Sequence, residues 1–130
     1  MTTVQGFYRN VMEVAGPIDL DEAKRASAAV LHALRDRLTA TEAAQAAAQL
    51  PRPLQSVWRY GEAEGRRPIR MHRKEFFERV RGEAGLDSAR DARDLTSAVF
   101  YALKLTLTPG EGEDVMAQLP SDLKALWQEA

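Results

Sequence analysis

The sequence predicts an all-α protein: eight helices, arranged as two tandem four-helix repeats packed into one body about an approximate two-fold axis. Three observations predict this. Apolar residues recur at three- and four-residue spacing along most of the chain, and strand-like alternation is missing. Capping residues and breakers divide that pattern into helix-length pieces. Most decisively, Leu38-Thr39, Glu42, Ala48-Gln49-Leu50-Pro51, Leu54 and Trp58 return as Leu107-Thr108, Glu111, Ala117-Gln118-Leu119-Pro120, Leu123 and Trp127, at a constant offset of 69 positions. Upstream, Phe7, Val11, Ala15-Gly16, Ala23, Ala29-Val30 and Ala33-Leu34 have identical partners at the same offset. Identities gathered on apolar and capping positions are what a shared core requires while the surface drifts.

The first helix is expected from about Thr3 to Ala15, its stripe formed by Val4, Phe7, Val11 and Val14, with Gly16 and Pro17 ending it. Asp19 with Glu22 is a capping-box pattern that opens a long helix to about Leu38. Thr39 with Glu42 repeats the pattern for an alanine-rich helix from about Ala40 to Leu50, slim enough for close approach. A short helix carrying Leu54, Val57 and Trp58 stops before Gly61. After a connector of about 61–72, the pattern restarts at about Met71–Ala84, Ser88 or Ala89 to Leu107, Pro109–Leu119 and Ser121–Gln128. The repeats thus cover about 4–60 and 73–130 of a single domain, 1–130, since a unit of about 60 residues makes a marginal core alone. The two long helices are expected at the centre.

The 130-residue chain has no cysteine, which excludes disulfides, thiolate nucleophiles and sulfur-ligated zinc. The start, Met1 to Gly6, lacks a basic segment followed by an apolar run, and no stretch approaches the roughly 18 apolar residues of a membrane span. A soluble cytoplasmic protein is expected. Net charge is −1, but Arg66, Arg67, Arg70, Arg73, Lys74, Arg79 and Arg81 crowd one segment while the following residues are acid-rich. Such a distribution can steer a charged partner.

Candidate functional residues fall on three surfaces. Arg66, Arg67, Arg70, Met71, His72 and Arg73 form a basic run suited to the phosphates of a nucleic acid or to an anionic metabolite. Trp58 and Tyr60, with Arg70, Met71 and His72, could line a cleft between the repeats for a small anionic ligand, although Trp58 and Trp127 read first as residues closing their own bundles. Tyr101 and Leu105 replace the polar His32 and Asp36 of the other long helix. Deeper burial of the second long helix is the favoured explanation, and a surface meeting another chain the other. His32 and Asp36 are expected as an exposed pair one turn apart, with no convergent carboxylate nearby, and Glu42 and Glu111 as caps rather than a carboxylate pair. There is no glycine-rich phosphate loop, nucleophile elbow or metal-binding helix motif, so no catalytic residue, metal or cofactor is assigned.

The stretches Val30 to Thr39, Ala48-Gln49-Leu50-Pro51, Arg70 to Phe76 and Asp114 to Pro120 resemble the bacterial family catalogued as domain of unknown function 2267. The resemblance covers nearly the whole chain and implies a small, duplicated, all-helical protein, with no activity or catalytic residues to carry over. The chain departs from the family pattern at Glu62-Ala63-Glu64, where a more aromatic stretch is usual. The expected function is a non-enzymatic interaction module that binds an unidentified protein or itself. A small anionic ligand in the cleft is the alternative, then weak nucleic-acid binding through the connector. Near-zero net charge and the lack of a nucleic-acid-binding motif disfavour the last.

Overall fold

The computed structural model describes residues 2–130. Among them are eight α-helices and no strand: α1 (Val4–Ala15), α2 (Leu20–Arg37), α3 (Ala40–Ala48), α4 (Arg52–Arg59), α5 (Arg73–Ala84), α6 (Ala89–Thr106), α7 (Pro109–Ala117) and α8 (Ser121–Glu129). No helix is long and apolar enough to cross a membrane.

Local chemistry sets the boundaries. The hydroxyls of Thr3, Thr39, Ser88 and Thr108 and the carboxylate of Asp19 each accept from the backbone amide three residues on, satisfying one of the free amides at their helix starts. Pro109 is the first residue of α7, where its missing amide costs nothing. Gly85, at φ 68° and ψ 40°, takes the left-handed position that ends α5. That helix starts at Arg73 rather than near Met71, because Met71 leaves the helical path to enter the core, where it is 5% exposed. α3 and α7 stop at Ala48 and Ala117, short of Leu50 and Leu119, which are buried beyond them.

The pairing of helices is crossed. α1 packs more extensively against α6 than against α2, and α5 more extensively against α2 than against α6. α2 and α6 touch along the middle, α3 meets α7, and α4 and α8 lie against α2 and α6 respectively. The core is therefore continuous: Phe7, Val11, Val30, Leu34, Trp58, Phe76, Val80, Val99, Phe100, Leu103 and Trp127 belong to one buried cluster. Phe100 bridges the second half's aromatics, with ring centroids 6.0 Å from Phe76 and 5.0 Å from Trp127. Each half gives its first helix to the other's long helix, so neither has its full core alone.

The connector is strapped to α2. Arg66 donates to the carbonyls of Leu38 and Arg35, both at 2.8 Å, and to Glu62 at 2.8 Å, while the Ile69 amide donates to the Asp36 carbonyl at 2.8 Å. Arg66 thereby covers the end of α2, a favourable place for a cation.

Candidate functional site

Buried charge concentrates first on the outer side of α2, contrary to the exposed pair expected from His32 and Asp36. Their residues are 9% and 7% exposed, because the end of α4, the connector and α5 fold over them. Asp36 accepts from Arg35 at 2.8 Å and from Arg79, with Arg66 3.9 Å away. Burial pushes the Asp36 carboxyl up, but the hydrogen bonds and charges of Arg35 and Arg79 outweigh it and hold the group below its ordinary value. His32 Nδ1 lies 2.7 Å from Glu83 and Nε2 lies 2.6 Å from the Val57 carbonyl. The Val57 carbonyl can only accept, so Nε2 donates in that contact. The convergent carboxylate absent from the local sequence comes from Glu83 on α5.

Arg35 has a further task that sequence reading missed. Its guanidinium donates to the Trp58 and Tyr60 carbonyls at 2.8 and 2.7 Å, and Lys104, 69 positions on, donates to the Trp127 and Ala130 carbonyls, both at 2.9 Å. Each cation closes the end of the last helix in its half. The available signal was a basic residue at the same position of both copies, within the buried C-terminal part of each long helix.

The predicted candidates separate accordingly. Trp58 and Met71, 1% and 5% exposed, are core residues, and Arg66 is consumed by the strap. Tyr60 is 77% exposed and lines a groove of about 460 Å³ with His32, Glu83, Ser56 and Val57. The cleft expected from Trp58, Tyr60, Arg70, Met71 and His72 is thus not assembled. Nor is α6 the more deeply buried at the exchanged positions: Leu105 is 52% exposed and Tyr101 half-buried, whereas their polar counterparts on α2 are covered.

Arg67, Arg70, His72 and Arg73 are exposed, His72 lying 3.8 Å from Asp122. Arg73 and Lys74 from the first turn of α5, Arg90 from the first turn of α6, and Arg93 line one groove of about 410 Å³. Phe77 and Glu78 also line it, the Arg73 guanidinium sitting 6.0 Å from the Phe77 ring centroid. Glu78 is paired with Arg81 at 3.1 Å. Among the described residues Arg67, Arg70, Arg73, Lys74 and Arg90 form no salt bridge. Two helix starts, with Arg73 and Arg90 free of salt bridges, give this groove a positive lining.

The second cluster lies where α3 meets α7. Glu42 and Glu111, expected to complete capping boxes, do not reach back to Thr39 and Thr108. Those amides are supplied from the opposite half, Thr39 donating to Gln118 Oε1 and Thr108 to Gln49 Oε1, both at 2.9 Å. Released from capping, the two carboxylates come together with Asp114, each of the three offering an oxygen within 4.8 Å of the others. Glu111 is pushed up to about 8, by burial first and then by the hydrogen bond and charge of Glu42 and the charge of Asp114.

Fold and surface define a small all-α protein with a crossed helical core, an electropositive groove and an internal carboxylate cluster. The chain belongs to the family described as "Uncharacterized conserved protein (DUF2267)", whose model matches residues 4–126. No curated protein matches the chain.

Proposed function

We propose that this chain is a non-enzymatic interaction module of the cytoplasm, two copies of one helical unit about an approximate two-fold axis, which docks an acidic segment of a partner protein on the groove between α5 and α6. The observation that carries the reading is the division among its cations. Arg35, Arg66 and Arg79 are spent on the protein's own carboxylates and carbonyls, while Arg73 and Arg90, which line the groove, form no salt bridge among the described residues, nor do Arg67 and Arg70 on the connector. Arginine forks match carboxylates two bonds at a time, and the Phe77 ring beside Arg73 adds apolar contact for the stem of an acidic residue. The absence of cysteine supports a reducing compartment.

The test is fluorescence titration with a short oligoglutamate peptide at low and moderate salt, on the parent chain and on Arg73→Glu/Arg90→Glu. Saturable binding that weakens with salt and is lost in the variant, with the helical circular dichroism unchanged, is expected. Equal binding by both proteins, or none by either, overturns the reading. Displacement by inorganic phosphate at equal charge concentration would favour a small anion over a peptide and also overturn it.

A second reading, self-association through Tyr101 and Leu105, is favoured by one observation: Leu105 is 52% exposed at the position where α2 carries the covered Asp36. Concentration-dependent mass in sedimentation, lost in Leu105→Asp, tests it.

A further inference from the structure

The carboxylates at the meeting of α3 and α7 play no part in the proposed docking groove, and their arrangement is costly. Glu42 and Glu111 are 9% and 8% exposed, yet Oε2 of each is fully buried and has no hydrogen-bond partner. Buried carboxylate oxygens are ordinarily paired, so two orphans at one place point to a missing electrophile. No lysine or arginine supplies it, since neither carboxylate takes part in an ion pair among the described residues. The neighbouring Gln49 and Gln118 amides are directed to the Thr108 and Thr39 hydroxyls.

We infer that Glu42, Glu111 and Asp114 form a binding site for a hard divalent cation, with calcium as the best fit. The donor set is all oxygen, which selects calcium, magnesium or manganese over softer metals. The three oxygens lie within 4.8 Å of one another, close enough to share one ion. Calcium accepts carboxylates and waters in flexible geometry, whereas magnesium demands near-ideal octahedral placement and keeps most of its waters. Two ligands are buried and belong to different halves, whereas Asp114 is exposed and leaves a route for the ion and its remaining waters.

The experiment is isothermal titration of the intact chain at pH 7 with calcium, manganese and magnesium chlorides. Expected are one site per chain and calcium tightest. Asp114→Asn, an exposed change that leaves the helices intact, should weaken calcium by at least about tenfold. Glu111→Gln, which removes a buried ligand oxygen's charge, should weaken it further. No saturable heat with any of the three salts at millimolar concentration overturns the inference. So does unchanged affinity in both variants, which would place the ion elsewhere.

Discussion

Gln118 Oε1 accepts the backbone proton of Thr39 at 2.9 Å, doing across 79 residues what the nearby Glu42 would do in a capping box. Gln49 does the same for Thr108 at 2.9 Å, so the starts of α3 and α7 are capped by exchange. The position of Glu42 and Glu111 follows from this, because a carboxylate not needed at its own helix start is free to face the other.

Breaking the exchange should let the carboxylates part. In Gln49→Ala/Gln118→Ala the Thr39 and Thr108 amides become available to Glu42 and Glu111, and Glu111 should move from about 8 down toward the ordinary 4.5. Carbon-detected NMR titration of the glutamate side chains measures the change. The stability cost should be about 1 kcal/mol per lost bond, since both bonds are exposed and water replaces them in part.

The raised Glu111 makes the cation-free protein less stable as pH rises. Its folded value of about 8 lies above the unfolded 4.5, so the folded state holds the extra proton between them. This contribution is complete below about 4.5 and is lost progressively up to about 8. Glu111→Gln keeps the shape and removes the titration. Thermal melts in chelator should show the variant gaining on the parent chain between pH 5 and pH 8, and parallel curves would refute the pairing.

Asp36 carries the opposite sign. Its value is held below 3.8, so its contribution is present above that value and is lost as pH falls further. Asp36→Ala leaves Arg35 buried without its carboxylate and should cost about 3 kcal/mol in urea at pH 7, with a smaller difference at pH 2.

Leu105 and Leu103 lie two residues apart on α6 and should respond oppositely to charge. Leu105→Asp, at a position 52% exposed, should change stability by no more than about 0.5 kcal/mol. Leu103→Asp, at 1% exposed, should prevent cooperative folding. Circular dichroism melts of the two variants separate the cases.

The helices were legible because their signals are local. Thr3, Asp19, Ser88 and Thr108 cap within three residues, and Phe7 with Val11, Val30 with Leu34, and Val99 with Leu103 recur one turn apart on the buried faces of their helices. The carboxylate cluster was hidden because Thr39 with Glu42 is a complete capping pattern by itself, and its real partner, Gln118, stands in the other half. The trace was the glutamine of Ala-Gln-Leu-Pro, identical in both copies as Gln49 and Gln118. His32 was misjudged for the same reason, since Glu83 is 51 residues away. Leu105 shows the reverse limit: an apolar residue is no proof of burial, because folded surfaces keep much apolar area.

The most direct test of the account is whether the halves can fold apart, since α1 lies on α6 and α5 on α2. Residues 1–68 and 69–130, expressed separately, should each lack a cooperative urea transition and recover helical signal with one shared transition when mixed. A sharp independent transition in either fragment, unchanged on mixing, would contradict a core built by exchanging first helices.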